Sequence, residues 1–182
     1  MRYLVVLAAA LAVAASLVTA ATAQQPSRIE GRGGLERQIL VELNRARAER
    51  DLGPVRPVTG LRVAAVAHSR SMLAVGFFDH ASADGTSFDR RLRRHYPDHG
   101  WTTWSVGETL LATSAALDAR QIVGEWLKSK PHRAVILSVT WRDVGIGARY
   151  AAAAPQEFGG APTTVVTADF GLREGRESEP PG

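Results

Sequence analysis

The sequence contains no cysteine among its 182 residues. This absence excludes disulfide bridges, thiolate metal ligands and a thiol nucleophile, so the domain must be stabilised by its hydrophobic core. It also excludes a lipid anchor of the type attached to an N-terminal cysteine. Beyond the first 20 residues there is no further long apolar run, and therefore we expect no membrane span in the mature chain.

The N-terminus has the features of a secretory signal peptide. Arg2 precedes an uncharged apolar run over residues 4–18, and Ala21-Thr22-Ala23 provides a small-residue cleavage site before Gln24. A retained membrane anchor is the alternative, but the run is short for a span and no basic segment follows it. We therefore predict a signal peptide over residues 1–23, a flexible lead-in over residues 24–34 and a secreted protein, extracellular or in the periplasm or cell envelope.

The charge pattern favours solubility over recognition of nucleic acid. The formal net charge is +4, with acidic residues interspersed among the basic ones. Arg90, Arg91, Arg93 and Arg94 cluster on one predicted helix, which we interpret as a solvated face because no nucleic-acid-binding motif accompanies them. We predict no nucleic-acid partner.

Hydrophobic periodicity predicts one α+β domain over residues 35–172. Helical spacing of apolar residues indicates helices over residues 35–50, 59–75 and 115–127, and a short helix that Ser87 could cap. β-type patterns indicate strands over residues 104–111, 142–150 and 163–170. Residues 173–182 are charged, end in Pro-Pro-Gly and lack apolar anchors, so we predict a disordered tail.

Three polar residues have ordinary structural interpretations. His68 shares the apolar face of the second helix and is expected to be a core histidine. Glu125 is expected to pair with Lys128 on an exposed helix face. Ser82 follows His80, but no GxSxG motif is present, so we interpret it as a turn residue rather than a nucleophile.

A set of short motifs resembles the cysteine-free bacterial branch of the CAP superfamily (cysteine-rich secretory, antigen 5 and pathogenesis-related-1 proteins; the SCP domain). No single motif is specific, but together they follow the order of the family over residues 37–171. The motifs are Leu43-Asn44-Arg45-Ala46-Arg47, Phe78-Asp79-His80-Ala81-Ser82 with Asp84-Gly85, Gly107-Glu108-Thr109-Leu110, Trp126-Leu127 with Ser129-Lys130-Pro131-His132-Arg133, Val144-Gly145-Ile146-Gly147 and Asp169-Phe170-Gly171.

This resemblance implies a three-layer α-β-α sandwich with a mainly antiparallel central sheet and a polar cleft. Family members place two histidines and two glutamates in that cleft, and the matching positions here are His80, His132 and Glu108. Ser129 stands where the second glutamate is usual, so the set of four is incomplete. Ala168 similarly replaces a usual glutamine in the last strand.

The resemblance leaves three interpretations of these residues open. His80, His132 and Glu108 could form a metal site for zinc or another divalent cation, with an open fourth position. Alternatively, Glu108 could only orient a histidine, or all three could form a polar network without metal. We predict a monomeric, non-enzymatic binding module for a small-molecule, lipid or envelope ligand. The alternative is a metal-dependent hydrolase acting on envelope or peptide substrates.

Overall fold

The computed structural model describes residues 28–176. The predicted signal peptide and residues 177–182 lie outside this range. The helices are α1 (Gly33–Ala48), α2 (Thr59–Val75), α3 (Phe88–Arg93), α4 (Ala119–Lys128) and α5 (Lys130–Ile136). The strands are β1 (Ile29–Gly31), β2 (Arg56–Pro57), β3 (Trp101–Thr113), β4 (Asp143–Ala151) and β5 (Thr163–Arg176).

The strands form one sheet in the order β1-β4-β5-β3. These neighbours are antiparallel, and only the two-residue strand β2 runs parallel to its partner β4. The pairing of β3 with β5 extends from Trp101 opposite Arg176 to Thr113 opposite Thr164. The sheet is therefore mainly antiparallel, as predicted.

One face of the sheet carries the main hydrophobic core. Residues of α1, α4 and α5 pack there against alternate residues of β4 and β5, and Trp126 of α4 is the largest fully buried side chain. The indole Nε1 of Trp126 donates to the carbonyl oxygen of Leu110 on β3 at 2.9 Å, which satisfies its only polar group.

The opposite face is covered by α2 and α3, and glycines allow α2 to approach unusually closely. A Cβ atom on Gly145 would lie 2.1 Å from backbone atoms of Leu61 and Arg62, and one on Gly147 would lie 2.4 Å from backbone atoms of Ala65 and Val66. Because any larger side chain would push α2 away, these glycines hold the helix against β4. Helices on both faces of the sheet make the three-layer α-β-α sandwich.

Helix α2 has the predicted bounds, but both ends of the predicted domain need correction. Residues 29–31 of the expected flexible lead-in form β1, which pairs with β4, and α1 begins at Gly33 rather than at residue 35. Residues 173–176 of the expected disordered tail continue β5 and pair with β3. In both segments, backbone hydrogen bonds to a neighbouring strand hold residues that have little apolar surface to bury.

Two further differences concern the third predicted long helix. The third predicted long helix begins at Ala119, where Asp118 and Gln121 form a capping box, rather than at residue 115. A separate short helix, α5, follows it directly and includes Pro131 in its first turn. No helix among residues 28–176 has the length and apolar character needed to cross a membrane.

Candidate functional site

A buried histidine positions the loop that carries His80. Helix α2 ends at Val75 and is capped by Gly76, which adopts a left-handed conformation (φ 83°) and turns the chain into this loop. His68 is 2% exposed, its Nε2 lies 2.9 Å from the carbonyl oxygen of Asp79, and its ring contacts Phe77 edge-on. The predicted core histidine is thus confirmed, and its polar contact fixes the residue next to His80.

The turn after His80 is stabilised by its own short hydrogen bonds. The Ser82 amide donates to the carbonyl oxygen of Thr86, and the Gly85 amide donates to that of Ser82. Asp79 and Asp84 each accept a backbone N–H from two residues further along the chain. These contacts are those of a turn residue, as expected for Ser82.

His80 and Glu108 form the centre of the candidate site. The imidazole Nδ1 of His80 lies 2.7 Å from Oε1 of Glu108. The His80 side chain is 51% exposed, whereas that of Glu108 is 1% exposed. A buried carboxylate therefore binds one ring nitrogen of a half-exposed imidazole. The other nitrogen, Nε2 of His80, has no hydrogen-bond partner within residues 28–176.

Arg91 belongs to this site. The prediction that Arg90, Arg91, Arg93 and Arg94 all lie on a solvated face was therefore wrong for Arg91. Its side chain is 9% exposed. Nη2 donates to Oε2 of Glu108, and Nη1 donates to the carbonyl oxygen of His80 at 2.8 Å. Both carboxylate oxygens of Glu108 are therefore engaged. Arg91 lies three residues after the half-buried Phe88, so helical spacing was the available signal of its inward orientation.

Asp169 is a second buried group that the sequence analysis did not select for the site. It lies on β5 directly opposite Glu108, is completely buried, and neither of its carboxyl oxygens has a hydrogen-bond partner in good geometry. Burial, together with the negative charge of Glu108, raises the pKa of Asp169 well above its usual value. The neighbouring Ala168 faces the hydrophobic core on the other side of the sheet.

His132 and Ser129 approach from the other side of the sandwich. Ser129 joins α4 to α5, and its carbonyl oxygen accepts the first hydrogen bond of α5 from Arg133. His132, half-buried on α5, is close enough to His80 for the charge of one ring to affect the other. The buried Arg47 of α1 positions the end of α5 by donating to the carbonyl oxygen of Ile136 at 2.7 Å.

The structure thus joins His80, Glu108, Arg91 and Asp169, with His132 nearby. Among the described residues, no three His, Asp or Glu side chains form a group that could hold a metal ion. Glu125 points away and pairs with Lys128 at 2.7 Å, which confirms its predicted role on the exposed helix face.

The charges and burial in the site shift the pKa values of its histidines in opposite directions. The hydrogen bond that His80 donates to the Glu108 carboxylate raises the pKa of His80. Burial lowers the pKa of both His68 and His132, and positive charge adds to this effect: that of Arg91 for His68 and that of His80 for His132. Burial alone would raise the pKa of Glu108, but the hydrogen bond to His80 and the charge of Arg91 outweigh it and lower that pKa.

These shifts predict the order in which the histidines titrate in metal-free protein. His80 should lose its proton last as pH rises, with a pKa above the ordinary value near 6.5, and His68 and His132 should titrate below it. The stabilisation from the His80–Glu108 contact is therefore greatest below that ordinary value and is lost as pH rises through the folded-state pKa. NMR titration of the ring protons measures all three. Glu108→Gln should lower the His80 pKa, and an unchanged value would refute the proposed cause.

Comparison with known proteins identifies the family to which this chain belongs. The model of the CAP family, described as the cysteine-rich secretory protein family, matches residues 40–170. The chain therefore belongs to the CAP family, although it contains no cysteine. A search of curated proteins found no match.

Solved structures agree on the fold. An extracellular protein with an SCP domain from Bacillus anthracis matches with a TM-score of 0.60 and 22% identity, over 76% of this chain and 40% of that one. An outer surface protein from Borrelia burgdorferi matches with a TM-score of 0.62 and 15% identity, over 81% and 99% of the two chains. A cysteine-rich secretory protein from Staphylococcus aureus matches with a TM-score of 0.51 and 13% identity, over 75% and 38%.

The solved structures confirm the fold, and the family is shown by the match over residues 40–170. This chain spans well under half the length of the Bacillus and Staphylococcus proteins, and the identities are low, so ligands and activities do not follow from them. The roles of His80, Glu108, His132 and Ser129 in binding remain predictions.

Proposed function

We propose that this protein is an exported, non-enzymatic binding module whose cleft binds a divalent cation, such as zinc, through His80 and His132. One observation carries the proposal: Glu108, itself fixed by Arg91, binds Nδ1 of His80 and leaves Nε2 available on a half-exposed ring. A carboxylate on one imidazole nitrogen is the usual way in which proteins orient a metal-binding histidine.

The residues present fit a weakly held ion. His80 supplies one imidazole nitrogen and His132 a second, but Glu108 has both oxygens engaged and Ser129 replaces the usual glutamate. In this proposal Glu108 positions His80 rather than contacting the ion, and solvent or a ligand completes the coordination. A bound divalent ion would supply a positive centre that attracts an anionic or carbonyl group of a small-molecule, lipid or envelope ligand.

Export has independent support. The N-terminal residues have the pattern of a signal peptide. The similar proteins from Bacillus anthracis and Borrelia burgdorferi are described as extracellular and as an outer surface protein, respectively. Together these observations favour a location outside the cytoplasm, in the envelope or beyond it.

A metal-dependent hydrolase acting on envelope or peptide substrates is less well supported. Catalytic zinc sites generally use three protein ligands and one open position. Here the carboxylate that could be the third ligand is held by Arg91, and Asp169, the other nearby carboxyl group, is fully buried.

Zinc titration by calorimetry, on protein without a histidine tag, tests the proposal. We expect one weak site, with affinity reduced at least about tenfold by either His80→Ala or His132→Ala, because each removes one of only two nitrogen ligands. Glu108→Gln should reduce affinity by roughly 10- to 100-fold, the usual effect of losing the group that orients a ligand.

The matched control is His99→Ala, since His99 is exposed and lies in a loop outside the cleft. It should bind zinc like the wild type. Equal binding by wild type and the His80→Ala/His132→Ala double variant would contradict the proposed metal site. Zinc-dependent turnover of a peptide or ester substrate, lost in the same double variant, would instead establish the hydrolase.

A further inference from the structure

A break in strand pairing leaves the buried backbone of β4 without a neighbouring strand at one point, Ile146, which is 5% exposed. On its outer edge, β4 pairs with β2 up to Val144 and with β1 from Arg149 onward. The carbonyl oxygen of Val144 accepts from Val58, and that of Ala148 accepts from Arg32. Because backbone groups of alternate residues point to the same edge, those of Ile146 also face this gap. Among residues 28–176, no strand pairs with Ile146 on that side.

The gap opens into a cavity of about 420 Å³, here called the edge cavity, between α1, the start of α2 and β4. Its apolar wall includes Leu40, Val58 and Ile146. The distance from Val144 to Ala148 along an extended strand is roughly 13 Å, which accommodates a few residues of a second strand. The edge cavity therefore offers a backbone donor, a backbone acceptor and apolar contacts in one place.

Positive charge surrounds the edge cavity. Buried Glu36 forms ion pairs with Arg62 at 2.6 Å and with Arg149 at 2.8 Å. It also accepts a hydrogen bond from the backbone N–H of Ala148. The guanidinium of Arg62 remains about half exposed. Arg37, which also lines the cavity, is exposed and has no ion-pair partner within the described part of the chain. Three arginines and one glutamate leave an excess of positive charge.

We propose that the edge cavity binds a short extended peptide segment that carries a carboxylate. The peptide backbone pairs with the N–H and C=O of Ile146, as in recognition by strand addition, its side chains contact the apolar wall, and its carboxylate lies near Arg37 and Arg62. The edge cavity is lined by none of the residues proposed above to bind a cation, so this second site is independent of that function.

NMR titration of the ¹⁵N-labelled protein with two acetylated tetrapeptides of alternating valine and threonine tests this proposal. One peptide ends in a free carboxylate and the other in an amide. Both should shift the Ile146 amide signal and slow its hydrogen exchange, and the free acid should bind about three- to fivefold more tightly because a partly exposed ion pair contributes little. Methylating the peptide nitrogen that donates to Ile146 should reduce affinity about tenfold.

The matched pair of variants is Arg37→Gln and Arg45→Gln. Both arginines are exposed on α1, but Arg45 lies two turns away and pairs with Glu42 and Glu49. Arg37→Gln should remove the preference for the free acid, and Arg45→Gln should leave it intact. Leu40→Trp should fill the cavity and abolish binding of both peptides.

Three results would overturn the proposal. In the first, neither peptide shifts Ile146 at millimolar concentration. In the second, shifts centre on His80 and Glu108, which would place the peptide in the cleft instead. In the third, Ile146 becomes protected without peptide as protein concentration rises, which would make a second copy of this chain the occupant.

Discussion

Arg91→Met is expected to lower the free energy of unfolding by about 3–5 kcal/mol. The substitution leaves the Glu108 carboxylate buried without its guanidinium partner, and removing one partner of a buried ion pair is costly because the other charge stays buried. It also frees the carbonyl oxygen of His80 from its hydrogen bond. Urea denaturation at neutral pH, in the absence of metal, measures the loss.

A second substitution tests this explanation. Adding Glu108→Gln removes the unpaired charge, so the double variant should be more stable than Arg91→Met by about 2 kcal/mol or more. Arg90→Met is the matched control, because Arg90 is exposed on the same helix, and it should change stability by less than about 0.5 kcal/mol. Equal losses in Arg90→Met and Arg91→Met, or a double variant no more stable than the single one, would contradict a buried ion pair.

Gly145→Ala is expected to lower the free energy of unfolding by about 3 kcal/mol, the upper end of the range for an overpacked core. The added methyl group would lie 2.1 Å from backbone atoms of α2, so the helix and the sheet must separate. The loop that carries His80 follows α2, and the His80–Glu108 contact should loosen with it. Denaturation measures the first effect, and a lower His80 pKa by NMR reports the second.

Gly124→Ala is the control for this substitution. Gly124 lies within α4, and a Cβ atom there would have no neighbour within 4 Å. The same chemical change should therefore raise stability by about 0.5–1 kcal/mol, the usual benefit of replacing glycine within a helix. If both variants were equally stable, close packing of α2 on β4 would not be the reason for glycine at position 145.

The sequence allowed prediction of those elements whose apolar residues recur at one clear period. The bounds of α2 were correct because Leu61, Ala64, Ala65, His68 and Met72 form an uninterrupted buried stripe. The segments β1 and 173–176 were missed because they are held by backbone pairing with a distant strand, and their side chains carry little sign of it. A local pattern cannot show which distant edge is available.

The candidate site was predictable only in part. The family motifs selected His80 and Glu108, and the structure places them in contact. Arg91 was assigned to solvent because three other arginines surround it on the same short helix, although its spacing from Phe88 indicated the inner face. Asp169 was named only as part of a motif, because its place in the site follows from the strand register that puts it opposite Glu108. That register cannot be read from the local sequence.

The sheet order β1-β4-β5-β3 also constrains how the molecule can fold. Strand β3 has no neighbour until the C-terminal strand β5 is made, and β1 must wait for β4. Hardly any of the sheet can thus assemble during synthesis, and the contact between Glu108 and Asp169 closes a loop of more than 60 residues. Such non-local pairing makes folding slow, and the helices lack much of the sheet on which they pack until β4 and β5 are available. This delay is compatible with the export proposed above, because the sheet cannot close before β5 has been made.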